Sequence, residues 1–149
     1  MRSPSDYIIR VAVPSDLEAV LSLAREFAKS FAVGERSFRG TFAELLSDRS
    51  ACVLVAALDG VVVGYLLGFE HLAFFANGRV AWVEEIMVAE AHRRKGVGEG
   101  LMNAVTAWAV ARECRMIALA TRRAAEFYAA LGYEASATYF RKVIGKPAD

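Results

Sequence analysis

Apolar residues recur along this chain at two spacings, and these spacings predict the order of its helices and strands. Tyr7 to Val13 alternate well enough between apolar and polar residues for a first strand. Ser15 and Glu18 then form a predicted capping box, behind which apolar residues recur three and four positions apart, as in a helix that buries one face. Gly34 is expected to end this helix. Its apolar stripe consists of Leu17, Val20, Leu21, Ala24, Phe27, Ala28 and Phe31.

The middle of the chain carries the signals of a short helix followed by an antiparallel hairpin. A second capping box, Thr41 to Glu44, predicts a helix that runs to about Leu46. Two apolar strand segments, Cys52 to Leu58 and Val61 to Leu72, are joined by Asp59-Gly60, a residue pair that favours a two-residue hairpin turn.

The C-terminal half alternates strands with helices. Asn77-Gly78 marks a turn, and Gly132 is the residue type that usually ends a helix in the left-handed conformation. The predicted elements are a strand from Val80 to Val88, a helix that begins near Val97, a short buried strand from Met116 to Ala120, a helix from Ala124 to Leu131, and last strands from Tyr133 to Ile144. This order predicts an α/β fold in which residues 1–149 form one domain, with a mixed central sheet and helices on both faces.

Composition and charge narrow the classes of function. A chain of 149 residues suffices for one domain with a sizeable core. Although 56% of the residues are hydrophobic, no apolar run approaches the roughly 20 residues of a membrane span. Met1 to Asp6 lack the apolar stretch of a signal peptide, so we expect a cytoplasmic protein with no membrane partner. The net charge of +1 argues against a nucleic-acid partner.

The cysteines and histidines do not suggest a metal site. Cys52 and Cys114 lie in apolar, strand-like surroundings, which favours buried thiols over a disulfide or metal ligands. The two histidines, His71 and His92, lack the spacing of a ligand pair. We therefore expect no metal.

The segment from Arg93 to Gly98 combines three cations with two glycines between a predicted strand and a predicted helix. The first N–H groups of a helix have no partner inside it, and the helix dipole favours an anion there. Glycine lets a ligand approach the backbone closely. The segment therefore predicts a binding site for phosphate groups, although its spacing is neither that of a P-loop nor that of a dinucleotide fold.

Two sequence blocks carry a resemblance to a known family. Val88 through Gly98 match position by position the motif V-x-x-x-x-Q/R-x-x-G-x-G/A of the GNAT superfamily of N-acetyltransferases, and Phe127 through Tyr133 are similar to its F-Y-x-x-L-G-F block. The resemblance covers roughly residues 79 to 134. It implies the GNAT fold and the acetyl-CoA-dependent transfer of an acetyl group to a primary amine, by direct attack in a ternary complex with acetyl-CoA as co-substrate.

The resemblance also implies which residues bind acetyl-CoA. The backbone of the strand before the loop pairs with the pantetheine arm, the loop binds the pyrophosphate with Arg93 at the Q/R position, and Thr121 stands where the family often has an asparagine that contacts the arm. The implied residues are Ile86, Met87, Val88, Arg93, Arg94, Lys95, Gly96, Val97, Gly98, Glu99 and Thr121, together with Tyr128.

Tyr128 is the candidate general acid, because the resemblance places a tyrosine here near the sulfur. A phenol with a pKa of about 10 can give a proton to a leaving thiolate and is still protonated at neutral pH. The alternative is a tyrosine that packs its ring in the core.

Glu84 and Glu85 are the candidates for the general base or for amine binding. Successive strand residues point to opposite faces, so we expect that the two cannot enter one pocket side by side. Polyamine acetyltransferases of the family carry an acidic pair at this place, and Glu84 is the favoured residue. The alternative is an ion pair with Arg79 or Arg10.

The resemblance places the acceptor pocket near Phe31 to Phe38 and His71 to Asn77, without identifying the acceptor. We expect a small-molecule, polyamine-like, protein or peptide amine. Two other functions stay open: an acyl-CoA-binding sensor with weak or no catalysis, and a toxin that acetylates aminoacyl-tRNA. A homodimer is expected from the family alone.

Overall fold

In a computed structural model that describes residues 6–28 and 31–145, five strands form one sheet in sequence order. The first four strands pair antiparallel, and the fifth pairs parallel to the fourth. The strands are β1 (Ile8–Val11), β2 (Ala51–Leu58), β3 (Val61–Ala73), β4 (Gly78–Val88) and β5 (Met116–Leu119). The helices are α1 (Leu17–Phe27), α2 (Glu35–Ser47), α3 (Val97–Ala111) and α4 (Ala125–Ala130).

Helices cover both faces of the sheet, as the sequence predicts. Alternate residues of the central strands point to opposite faces, so each face builds its own core. On one face, Leu54 and Leu66 pack against Leu101 and Val105 of α3. The core of the other face contains Val55 and Tyr65 from the sheet together with Val20, Leu23, Ala24 and Phe42 from α1 and α2. Within the described residues, no helix is both long enough and apolar enough to cross a membrane.

The two predicted hairpin turns are confirmed. Asp59 and Gly60 both have positive φ, 51° and 80°, which is the backbone of the turn that joins two twisted strands through two residues. Asn77 likewise has a φ of 58° immediately before β4 begins at Gly78. In both turns, the local residue types determine the local conformation.

The predicted start of α1 is wrong. A 3₁₀ turn over Pro14–Asp16 precedes the helix, and the N-cap is Asp16 instead of Ser15. The Asp16 carboxylate accepts hydrogen bonds from the Val13 N–H (2.8 Å) and from the guanidinium of Arg10 (2.7 and 2.9 Å). This ion pair holds the pKa of Asp16 below its usual range, so the carboxyl group stays ionised at the start of the helix.

The boundary between α1 and α2 also differs from the prediction. The first helix ends at Phe27, and Gly34 begins the second helix as its N-cap instead of ending the first. The expected stripe up to Phe31 crosses residues 29 and 30, which lie outside the described residues. The Thr41 to Glu44 capping box is wrong, because α2 begins at Glu35 and already contains Thr41 in its interior.

The strands expected from Tyr133 to Ile144 are not formed. Residues 134–144 have no regular secondary structure, and most of their side chains are exposed. A strand needs a neighbouring strand to satisfy its backbone, and β5 at this edge has only four residues. Strand β5 is partly exposed, although a buried strand is expected here. Cys114, just before β5, is only half-buried, whereas Cys52 is buried as expected.

Candidate active site

Strand β5 pairs with only part of β4, which leaves an open edge in the middle of the sheet. Val80 to Val83 pair with Met116 to Leu119, and there β5 ends. Beyond this point β4 continues to Val88 while it pairs on its other side with β3. One backbone edge of Glu84 to Val88 is therefore free of a neighbouring strand, and an extended ligand arm can add there as a strand would. This edge contains the backbone of all three predicted strand residues, Ile86, Met87 and Val88.

A β-bulge lies at the point where the two strands separate. Leu67 of β3 is opposite Glu85, whereas its neighbour Gly68 is opposite Val83, so Glu84 has no partner across the ladder. A bulge bends its strand and re-aims the side chains near it.

The bulge brings Glu84 and Glu85 to the same face of the sheet, so the expectation of opposite faces is wrong. Leu67 and Phe69 lie on one face, and their register partners are Glu85 and Trp82. The indole N–H of Trp82 donates a hydrogen bond of 2.8 Å to Glu84 Oε2, which joins Glu84 to that side. This is the face covered by α1 and α2.

The two carboxylates have different surroundings. Glu84 is exposed, whereas Glu85 is half-buried and accepts a 2.7 Å hydrogen bond from the hydroxyl of Tyr65. Burial raises the pKa of Glu85, the hydrogen bond from Tyr65 opposes that rise, and the charge of Glu84 adds to it. A carboxylate with a raised pKa is a better proton acceptor than an ordinary one.

The alternative ion pairs do not form. Arg10 pairs with Asp16, and Arg79 lies 3.5 Å from Glu70. Glu70 also pairs with Arg112 at 3.1 Å.

The loop after β4 has the geometry expected of an anion site. Gly96 is the N-cap of α3 with a φ of 83°, and Arg94 also adopts positive φ, 60°. The Gly96 carbonyl accepts the N–H of Gly100 at 3.0 Å, which closes the first turn of the helix. The earlier N–H groups have no partner within the helix. Val97 is buried in the core, whereas Arg94 and Glu99 are exposed.

Arg93 points back to the strand. Its Nε donates a 2.9 Å hydrogen bond to the carbonyl of Val88, so this side chain fixes the end of the open edge. The contact that the structure shows for Arg93 is thus inside the protein, and its role in binding the pyrophosphate stays a prediction.

The two sequence blocks that carried the resemblance meet in space. A Cβ atom on Gly98 would lie 3.4 Å from Cζ of Phe127, so the start of α3 and α4 lie side by side at this point. The next residue, Tyr128, is 8% exposed and lies edge-on to Phe127 and to Tyr133. Burial raises the pKa of Tyr128, which keeps its hydroxyl protonated at neutral pH.

The Thr121 side chain forms a hydrogen bond with the backbone of the turn that follows it. Its hydroxyl accepts a 3.1 Å hydrogen bond from the N–H of Ala124, at the turn that leads into α4. This side chain helps to place Tyr128 through the start of its helix.

The His71 to Asn77 part of the predicted acceptor region lies away from these residues. Phe74 and Phe75 are exposed at the tip of the β3–β4 hairpin, at the opposite end of β4 from the Arg93 to Gly98 loop. A cleft of about 560 Å³ lies near this tip. Its lining residues are Leu72, Asn77, Gly78, Arg79, Arg112, Glu113, Cys114 and Arg115.

Three aromatic residues near Glu84 and Glu85 were missed by sequence reasoning. Tyr65 bonds to Glu85, and the ring of Trp82 stacks on Tyr139 with centroids 6.4 Å apart. A tyrosine within an apolar strand pattern is a signal that would have drawn attention to Tyr65. The position of Tyr139 depends on a segment without secondary structure, and no local pattern predicts it.

Comparison with known proteins agrees with this fold. The model of a family described as acetyltransferase (GNAT) matches residues 17–133. A transcriptional regulator from Bacillus halodurans C-125 is 25% identical, with a TM-score of 0.82 over 93% of this chain and 99% of that one. Glucosamine-6-phosphate N-acetyltransferase from Arabidopsis thaliana is 18% identical, with a TM-score of 0.83 over 93% and 99% of the two chains. An aminoglycoside N-acetyltransferase in complex with CoA is 23% identical, with a TM-score of 0.79 over 91% and 94%.

Proposed function

We propose that this chain, which belongs to the acetyltransferase (GNAT) family, is an acetyl-CoA-dependent N-acetyltransferase that acts on a primary amine by direct attack in a ternary complex. The observation that carries the proposal is the open edge of β4, which leads into the Arg93 to Gly98 loop and has Tyr128 and Glu85 on opposite faces of the sheet.

The residues of the open edge and the loop fit the cofactor. An edge without a neighbouring strand offers backbone groups to an extended amide-containing arm, and a helix start preceded by two residues with positive φ offers N–H groups to phosphates. When bound, acetyl-CoA supplies the acetyl group as a thioester. The backbone of Ile86, Met87 and Val88 would hold the arm, and the loop up to Glu99 would hold the pyrophosphate.

The chain's own residues would move two protons. Glu85, on the face of α1 and α2, accepts a proton from the ammonium group of the acceptor so that its nitrogen lone pair becomes free. As the new C–N bond forms and the C–S bond breaks, Tyr128 on the face of α3 gives its proton to the leaving sulfur. The nitrogen then releases its second proton to solvent, and the Tyr128 phenolate regains a proton from solvent. Glu84 holds the incoming cation in this assignment. The burial of Glu85 and the exposure of Glu84 support these roles over the reverse assignment.

The surroundings of the carboxylates favour a cationic acceptor. Two acidic side chains and the ring of Trp82 lie on one face, and aromatic rings and carboxylates both attract ammonium groups. The acceptor would be a small-molecule or polyamine-like amine, or an amine of a protein or peptide. A cytoplasmic location and a homodimer stay predictions.

The test has a binding step and a turnover step. We expect the unfolding midpoint to rise with acetyl-CoA and CoA at about millimolar concentration and not with ATP or NAD, since a ligand with a dissociation constant of about 10 μM would stabilise the native state visibly. We then expect thiol release from acetyl-CoA with at least one primary amine of a panel, with Glu85→Gln slowed far more than Glu84→Gln. No rise with either CoA compound would overturn the proposal. Binding without turnover on any amine would identify a sensor instead.

A further inference from the structure

Tyr65 lies in the middle of β3, and its hydroxyl group reaches across to β4. The residue is 2% exposed, and its register partner on β4 is Met87. The phenol O–H donates a hydrogen bond of 2.7 Å to Glu85 Oε1, a normal length for a hydroxyl donor. The buried Tyr65 and the half-buried Glu85 therefore form a hydrogen-bonded pair on the face of the sheet that α1 and α2 cover.

The direction of this hydrogen bond is fixed by chemistry. Burial and the neighbouring Glu85 raise the pKa of Tyr65, so its hydroxyl keeps its proton and acts on the carboxylate only as a donor. A donor favours the ionised form of a carboxylate over the neutral acid. The ionised form is the one that accepts a proton.

Glu85 also needs a contact that fixes its orientation. It follows directly after the unpaired Glu84 of the bulge, where the regular ladder is interrupted. The bond to Tyr65 uses Oε1 and leaves Oε2 to accept a proton from the acceptor.

We propose that Tyr65 is a positioning residue that holds Glu85 ionised and oriented to accept the proton of the acceptor amine. The inference rests on the proposed function in one respect, because that function makes Glu85 the acceptor of the proton.

The other groups around Glu85 are one carboxylate, one guanidinium beside Met87, and apolar side chains. On the same strand, the charge of Glu84 favours the neutral form of Glu85. From the loop, the guanidinium of Arg93 approaches Met87, with its Nη2 at 3.8 Å from the sulfur. The helices packed on this face, α1 and α2, contribute apolar residues to the core around Tyr65 and Met87, namely Val20, Leu23, Ala24 and Phe42. The ionisation of Glu85 is thus opposed by its burial and by the charge of Glu84, and it is favoured by the hydrogen bond from Tyr65.

The experiment measures the pKa of Glu85 in the unliganded protein by NMR titration of its side-chain carboxyl carbon, assigned from the signal lost in Glu85→Gln. We expect Tyr65→Phe to raise this pKa and Glu84→Gln to lower it. Tyr7→Phe is the matched control and should leave it unchanged. Tyr7 is also a buried tyrosine, and its hydroxyl lies at hydrogen-bond distance, 3.0 Å, from His92 Nδ1.

A second variant preserves the volume of the side chain. Replacement of Tyr65 by 3,5-difluorotyrosine makes the phenol a stronger donor, and we expect it to lower the pKa of Glu85. In turnover, the acidic limb of the kcat/KM profile should move in the same direction as the titration for each variant. For Tyr65→Phe, kcat should fall about tenfold while the KM for acetyl-CoA is unchanged, as for the loss of one hydrogen bond to a charged group.

An unchanged Glu85 pKa in both Tyr65 variants would overturn the inference, and so would a shift of equal size in Tyr7→Phe. A shifted pKa with an unmoved acidic limb would also overturn it, because Glu85 would then not be the group whose ionisation limits turnover. Because the titration requires no acetyl transfer, a protein that fails to turn over any amine contradicts the proposed function independently of the Tyr65–Glu85 bond.

Discussion

The two halves of strand β4 follow each other directly in sequence but have different neighbours. Val80 to Val83 are held on one side by β3 and on the other by β5. Glu84 to Val88 are held by β3 alone. In the first half Val80, Ala81 and Val83 are buried, whereas no residue of the second half is fully buried.

This difference shows how one strand provides both stability and a binding edge. Paired backbone and buried side chains stabilise the fold, but they leave no groups free for a ligand. An open edge provides those groups at the expense of contacts, and the bulge at Glu84 marks the boundary between the two halves. The following variants test whether the two roles are as separate as the pairing indicates.

The largest effect should come from Tyr128→Phe, which removes one hydroxyl beside the open half. We expect kcat to fall about 100-fold or more, because the leaving sulfur loses its proton donor. The unfolding midpoint and the affinity for acetyl-CoA should change little, since the buried ring is retained. Steady-state kinetics and thermal unfolding measure these quantities. A kcat close to that of the unmodified protein would show that Tyr128 only packs in the core.

The next largest effect is a loss of stability, which we compare between one valine from each half. Val83→Ala removes two carbons from a side chain that is 4% exposed, and we expect a loss of about 2 kcal/mol in the free energy of unfolding. Val88→Ala makes the same change at a half-buried position, and about 1 kcal/mol or less is expected. Urea unfolding measures both. Equal losses would contradict the contrast between the halves.

A smaller effect concerns the glycine that begins α3. Gly96→Ala should raise the dissociation constant of acetyl-CoA about tenfold, because a side chain disfavours the positive φ of 83° that sets the direction of the first N–H groups of the helix. The unfolding midpoint should also fall slightly, because alanine is strained at positive φ.

Gly60→Ala is the matched control for this variant. Gly60 has a similar φ of 80° in the β2–β3 turn, so alanine is strained there as well. Acetyl-CoA affinity should be unchanged in the control. Equal weakening by both substitutions, measured by calorimetry, would argue against phosphate binding at the start of α3.

The smallest effect is a gain in stability from Glu85→Gln at neutral pH. The folded pKa of Glu85 is raised above its unfolded value of about 4.3, so ionisation of Glu85 destabilises the native state as the pH rises through the folded pKa. Below about pH 4 the carboxyl group is protonated in both states, and the variant and the parent should be equally stable. Thermal unfolding across this range checks the sign. A parent protein that is the more stable of the two at neutral pH would contradict the raised pKa.

The features predicted correctly from the sequence are those that depend on local residue types. Asp59-Gly60 and Asn77-Gly78 form turns because these residues tolerate positive φ. The glycine loop after β4 and the family itself follow from the same kind of local pattern.

The features that were missed depend on contacts between distant residues. Asp16 replaces Ser15 at the start of α1 because Arg10 binds its carboxylate. The faces of Glu84 and Glu85 depend on a bulge, which comes from the register with β3 and has no signature in β4 alone. The final strands fail to form because a strand pattern does not provide a neighbouring strand.

The sequential strand order also has a consequence for how the chain folds. Strands β1 to β4 pair antiparallel with their neighbours in the sheet, and the β2–β3 and β3–β4 pairs are hairpins that close over short loops. The parallel pairing of β5 with β4 requires a crossover through α3, and such pairings form slowly because a long loop must close first. We expect that a folding chain builds the β2–β3–β4 hairpins early and docks β5 late, so that the gap between β4 and β5 is among the last parts of the molecule to take shape.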